Sequence, residues 1–173
     1  KVWSDSDDQD GMQPDSIKVQ LKADGTAVGE AITLNDDNHW TYTWTELPVN
    51  AAGTAIVYSV DEVEVPAGYT RVVSGNQTTG FVITNSHDTE ETEIIVTKEW
   101  QDNNNQDGKR SGVVAKVTLM KTVGTTTSQV GDAVTVGTTD NWSTSWNELP
   151  VYEGGVAITY SVKEEMTTAN GYT

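Results

Sequence analysis

Cysteine is absent from the 173 residues. That excludes a disulfide, a thiolate nucleophile and any zinc site built on Cys ligands. Basic residues are few: ten Lys and Arg stand against 26 Asp and Glu, for a formal charge of −16. Nucleic acid and anionic membranes reward clustered Lys and Arg, so neither is expected as a partner. No run of 18 apolar residues occurs, and no membrane-inserting helix is expected. Histidine occurs only at His39 and His87, and no Ser-His-Asp set recurs along the chain. A turnover enzyme is therefore not expected, and no cofactor or metal is called for. Hydrophobic residues make up 35 %, a thin supply for a core, though six Trp and six Tyr add large apolar bodies. The opening at Lys1, with no leader ahead of what looks like a strand, reads as an excised fragment.

What is present is one unit written twice. Lys1-Val-Trp3 recurs as Lys98-Glu-Trp100, and Gln9-Asp-Gly11 as Gln106-Asp-Gly108, both 97 residues on. Trp40-Thr-Tyr-Thr-Trp44 recurs as Trp142-Ser-Thr-Ser-Trp146, now 102 residues on. Glu46-Leu-Pro-Val49, Tyr58-Ser-Val-Asp-Glu62 and Gly68-Tyr-Thr70 also have later copies. The extra residues fall in the polar stretch from Thr122 to Asp132, expected as a longer hairpin loop.

Within each unit the apolar period is two. Ile17, Val19 and Leu21 alternate with Lys18, Gln20 and Lys22; Trp40, Tyr42 and Trp44 alternate with Thr41 and Thr43; Ile56, Tyr58 and Val60 alternate with Val57, Ser59 and Asp61. These are half-buried strands separated by Asp-Gly, Asn-Asp and Pro-Ala-Gly turn signals. The expected fold is all-β: two tandem antiparallel Ig-like β-sandwich domains, the second lacking its last strand. The expected boundaries are 1–88 for the first repeat, 89–93 for a short acidic linker and 94–173 for the second.

Strand parity singles out three polar positions. Lys98 shares a face with Ile94, Val96 and Trp100, and by the repeat Lys1 shares the face of Trp3. Glu62 falls with Tyr58 and Val60, Glu164 with Tyr160 and Val162, and Asn85 with Phe81 and Ile83. An unpaired polar group buried there costs several kcal/mol, roughly 2–7 in transfer experiments. The groups must therefore meet one another or lie at the rim of the sandwich. Two arrangements satisfy the first condition. One is a Lys–Glu ion pair with Asn85 hydrogen-bonded beside it. In the other, desolvation leaves a neutral Lys1 amine and a protonated Glu62, and the amine attacks the Asn85 carboxamide.

The combination resembles the B-type repeat of collagen-adhesin stalks, the Cna B-type domain also found in pilins. The resemblance rests on Lys1-Val-Trp3, Asn105-Gln-Asp-Gly-Lys-Arg110, the Trp40…Trp44 pair and Leu47-Pro48, with Tyr58-Ser-Val-Asp-Glu62, Pro66-Ala-Gly-Tyr69 and Ile83-Thr-Asn85. It implies an isopeptide cross-link between Lys1 and Asn85, with Glu62 as catalytic proton shuttle. In the second repeat it implies the same roles for Lys98 and Glu164, whose carboxamide partner is absent from this chain. Asn170, in an Ala-Asn-Gly-Tyr turn, is not the counterpart of Asn85. It further implies a monomeric stalk segment of a cell-wall-anchored, extracellular surface protein of Gram-positive bacteria. The partners would be neighbouring repeats of the same polypeptide and, through another domain, a host extracellular-matrix ligand.

Two other uses of the sequence are weighed against this. Asp5, Asp7, Asp8 and Asp10, with Asp102 and Asp107, look like calcium-loop carboxylates. With Gly11 or Gly108 at loop position six, Ile17 or Val114 stands where an EF-hand needs its bidentate Glu. An EF-hand is excluded; a looser ion site or a solvated turn remains. Trp40 and Trp44 could form a binding platform if exposed, but their shared face reads as core.

Overall fold

The computed structural model describes residues 1–166 and Tyr172. The chain forms two compact units, Lys1–Thr89 and Glu90–Thr173.

In unit 1 the strands are β1 (Val2–Ser4), β2 (Ser16–Ala23), β3 (Thr26–Ala27), β4 (Ile32–Asn35), β5 (Asn50–Ala51), β6 (Thr54–Ala55), β7 (Tyr58–Glu62), β8 (Thr70–Asn76) and β9 (Gly80–Ser86). One 3-10 turn, Asp36–Asn38, follows β4 and is held by a capping box between Asn35 and Asn38. The central strand is β2, flanked by β3 and β4 on one side and by β7 on the other, all antiparallel. A second sheet runs β1-β9-β8, with β1 parallel to β9. Ile17, Val19 and Leu21 of β2 bury the face that parity assigned to them. They pack with Leu34, Val60 and Ile83, so the core lies between the two sheets. The β8–β9 hairpin needs glycine at Gly75: φ is +83°, and a Cβ there would collide with the Gly80 carbonyl.

Unit 2 contains β10 (Glu91–Thr97), β11 (Ala115–Val123), β12 (Thr126–Gln129), β13 (Val134–Val136), β14 (Ser143–Pro150), β15 (Tyr152–Glu153) and β16 (Val156–Met166). Its centre is β11, paired with β12 and β13 on one edge and β16 on the other, while β10 pairs with β14. The register Val117↔Glu164 repeats Val19↔Glu62. Ala115, Val117 and Leu119 are its most deeply buried β11 residues.

Three expectations are corrected. Trp40 is not in a strand: it takes a left-handed φ of 56° behind His39 and closes a turn onto the Asn35 carbonyl. Residues 41–48 form no strand in unit 1, and Tyr42 is half exposed rather than aligned with the two Trp. The matching residues of unit 2 form β14 because β10 lies alongside them and satisfies their backbone. The polar stretch expected as a longer hairpin loop is indeed at a hairpin, but its extra residues extend the paired strands β11 and β12, from Met120↔Gln129 to Val123↔Thr126. Finally, β10 begins at Glu91, inside the segment expected as a linker, so residues 91–93 belong to a strand.

Candidate functional site

The parallel pairing of β1 with β9 places Trp3 opposite Asn85 and brings Lys1 to the same end of the sheet. From the other sheet, β7 ends at Glu62, paired with Val19 beside the core. The carboxyl and carboxamide therefore meet between the layers. Glu62 is 4 % exposed and Asn85 fully buried. Asn85 Nδ2 donates to Glu62 Oε1 at 3.0 Å. Glu62 Oε2 and Asn85 Oδ1 are buried without a hydrogen-bond partner.

Those two orphans are both acceptors while Glu62 is ionised. Leaving buried acceptors unpaired is costly, and a proton on Oε2 supplies the donor the site lacks. Burial pushes the Glu62 pKa up in the same sense, against the opposing effects of the Asn85 amide and the Lys1 charge. Lys1 is half-buried. Its Nζ rests 3.2 Å from the Trp3 ring centroid and donates to the Val2 carbonyl at 2.9 Å. Desolvation lowers its pKa to about 8, outweighing the attraction of Glu62 and Asp5. An amine that loses its proton readily thus lies near a carboxyl that holds one and a carboxamide screened from water.

Around this triad runs an aromatic cluster that parity did not reveal. Trp3 packs edge-on against Trp40 and Tyr69, with centroids 5.4 and 5.1 Å apart. The Tyr69 hydroxyl donates to Asp5 Oδ2 at 2.8 Å, and Asp5 is 4 % exposed. Unit 2 repeats the arrangement. Trp100 meets Trp142 and Tyr172 at 4.9 and 4.7 Å, and Tyr172 donates to Asp102 at 2.7 Å. The available signal was the twice-written Trp-x-Asp together with Gly-Tyr-Thr, but nothing local joins the two motifs. Tyr69→Phe is expected to lower the unfolding free energy of unit 1 by about 1–2 kcal/mol, since buried Asp5 loses its hydroxyl donor. Urea denaturation measures it, and an unchanged midpoint would show that the bond contributes nothing net.

Two carboxylates of the acidic loop turn an oxygen to its own backbone. Asp5 Oδ1 accepts from the Asp8 amide and Asp8 Oδ1 from the Gln13 amide. In unit 2, Asp102 and Asn105 play the same parts toward Asn105 and Arg110. Both loops pass through three consecutive left-handed residues, 6–8 and 103–105. Among the described residues no set of three His, Cys, Asp or Glu is placed to hold a metal ion.

A tandem sandwich with this twice-built Trp-Trp-Tyr-Asp cluster has a counterpart among known families. The sequence profile of the Cna protein B-type domain matches residues 1–86 and again residues 94–173. The chain belongs to the Cna B-type family. A collagen adhesin of Staphylococcus aureus is 38 % identical over 165 residues, which cover 95 % of this chain and 13 % of the adhesin. A crystal structure of two B repeat units (B1B2) of the collagen binding protein (Cna) of Staphylococcus aureus matches with a TM-score of 0.79. It is also 38 % identical, over 94 % of this chain and 42 % of that one. The two units are thus tandem Ig-like B-type repeats, and the chain spans about an eighth of the adhesin it matches.

The second B-type repeat keeps the amine and carboxylate but not their surroundings. Lys98 Nζ lies 2.8 Å from Glu164 Oε1 and 3.1 Å from Oε2. Glu164 is exposed, whereas its counterpart Glu62 is buried. Among the described residues no carboxamide takes the place of Asn85, and Asn170 lies outside them. Direct ion pairing in water is what an amine and a carboxylate do when nothing desolvates them.

Proposed function

We propose that the two B-type repeats are spacer segments of the stalk of a bacterial surface adhesin, and that the first repeat closes a Lys1–Asn85 isopeptide bond on itself. The observation that carries the second part is the buried Glu62–Asn85 pair, with one orphaned acceptor on each side chain. In the reaction, the neutral Lys1 amine attacks Asn85 Cγ. Protonated Glu62 polarises the carbonyl and relays the proton from the attacking nitrogen to the departing one. An N–C bond forms, the Cγ–Nδ2 bond breaks, and ammonia leaves. To reach Cγ, the Lys1 side chain leaves the Trp3 face and the Val2 carbonyl, to which Nζ donates.

Projection of a separate ligand-binding domain from the cell wall is the role this assigns to the parent protein. It rests on the likeness to the collagen adhesin. No second reading has a specific observation behind it. Asp5 and Asp8 accept from backbone amides of their own loop, Asp5 and Asp10 also meet Tyr69 and His87, and Trp40 and Trp44 pack on the core.

Intact-mass spectrometry tests the bond. Each Lys–Asn cross-link releases one ammonia and lowers the mass by about 17 Da. One such loss is expected, mapping to a branched Lys1–Asn85 peptide, absent in Glu62→Ala and leaving Lys98 unmodified. A full-length mass with no loss in the unmutated protein would reduce the three residues to a buried polar cluster.

A further inference from the structure

The end of β9 carries a contact that the isopeptide chemistry does not use. His87 Nδ1 lies 2.9 Å from the Gly68 carbonyl oxygen, and its Nε2 lies 3.0 Å from Asp10 Oδ2. Both partners are acceptors. A neutral imidazole has one N–H and can donate to only one of them, so the double contact requires the imidazolium. The same residue's backbone N–H donates to the Ser4 carbonyl at 3.0 Å. Three segments distant in sequence therefore converge on one side chain: the acidic loop after β1, the turn before β8 and the end of β9.

The internal repeat offers a comparison, with the cation on a different carboxylate of the loop. In unit 2 the loop is gathered by Arg110, whose guanidinium grips Asp102 with Nε at 2.9 Å and with Nη2. The counterpart of Arg110 in unit 1, 97 residues earlier, is Gln13. The Gln13 backbone keeps its place, donating to Asp8 as Arg110 donates to Asn105. Its side chain brings no charge. The unit 1 loop also carries four Asp, at 5, 7, 8 and 10, where unit 2 has Asp102, Asp107 and a run of three Asn. A more acidic loop has thus lost its permanent cation.

We infer that His87 is a proton-dependent latch of the first repeat, an imidazolium that ties the acidic loop and the Gly68 turn to the end of β9 and releases one of them when it deprotonates. The latch is independent of whether the isopeptide bond forms. The groups facing the ring are Asp10 and Asp5 from the loop and Tyr69 from the turn, whose ring centroid is 5.4 Å away. The Gly68 carbonyl and Asp10 raise the His87 pKa above 6.5, and burial opposes them. A raised pKa in the folded state means that the stabilisation is complete below the ordinary histidine range and is lost as pH rises through the shifted value. The first repeat is tightened by acid, while the Arg110 latch of the second is unaffected across the same range.

Two measurements on the whole protein test this. Long-range nitrogen NMR has only two imidazoles to resolve, His39 and His87. At pH 6.5 His87 is expected with both ring nitrogens protonated and with a titration midpoint above 6.5. Amide exchange, corrected for its intrinsic pH dependence, should show protection of the His87 amide falling on going from pH 6 to pH 9. The fall is tenfold for each pKa unit separating latched and open states. His87→Gln should abolish this pH dependence and Asp10→Asn should reduce it, with Lys98 and Arg110 environments unmoved. A singly protonated His87 at pH 6.5, or protection that does not change with pH, would overturn the latch. Neither readout requires the Lys1–Asn85 bond, so its absence would leave the result standing.

Discussion

Replacing Glu62 by alanine is expected to lower the unfolding free energy of the first repeat by about 4–5 kcal/mol while leaving the second repeat unchanged. Lys1 and Asn85 enclose nearly the whole unit, and closing a loop of that length restricts the unfolded chain by about that amount in the loop-entropy description. For a small domain whose total stability is of order 5–15 kcal/mol, such a loss is severe. Glu62→Ala also removes a buried carboxyl, so Lys1→Arg is the companion variant. It keeps the positive charge but offers no amine, and it should show the same missing ammonia loss and a similar drop. Urea denaturation monitored by amide resonances of each unit separates the two transitions. If both variants unfold with the unmutated protein, the first repeat is not stapled.

The second large effect comes from emptying equivalent sites in the two cores. Leu119 is fully buried and Leu21 is 3 % exposed, at matching places on β11 and β2. Truncating either to alanine is expected to remove about 3–5 kcal/mol, the transfer term plus the cavity left behind. The outcomes should nonetheless differ. In the second repeat, where Lys98 is ion-paired with exposed Glu164, Leu119→Ala is expected to populate the unfolded unit at room temperature. In the first repeat, Leu21→Ala should remain folded, and should unfold only when combined with Glu62→Ala. Heteronuclear NMR reads this directly as loss of dispersed resonances from one unit. Equal tolerance of the two truncations would mean that the repeats have equal reserves.

Parity made the burial of Glu62 and Asn85 legible, and for a physical reason. A strand with one buried face writes its burial every second residue, so Asn85 falls on the buried face with Ile83 and Glu62 with Val60. Lys98 follows Ile94 and Val96 in the same way, with Ile95 and Thr97 exposed between them. The latch and the Tyr69–Asp5 bond were not legible. They join residues 77 and 64 positions apart through loops, where no period operates. The alternation of Trp40, Tyr42 and Trp44 misled for a related reason. A left-handed residue at Trp40 breaks the pleat, and whether the following residues form a strand depends on a neighbouring strand rather than on their own pattern. The doubled sequence was the more reliable guide, because it revealed what one unit has and the other lacks.

The parallel pairing of β1 and β9 has a mechanical consequence. In a parallel pair, the start of one strand and the end of the other lie at opposite ends of the ladder. Tension applied through the two ends of the unit therefore pulls the strands past each other in shear. Val2↔Thr84, Trp3↔Asn85 and Ser4↔Ser86 are loaded together, along with the His87-to-Ser4 hydrogen bond. An antiparallel hairpin such as β8–β9, gripped at its open end, would instead peel one bond at a time. The short three-residue strand at the start of the first repeat is thus set to resist as a block, and the proposed Lys1–Asn85 bond would span that same ladder and hold it after the hydrogen bonds slip.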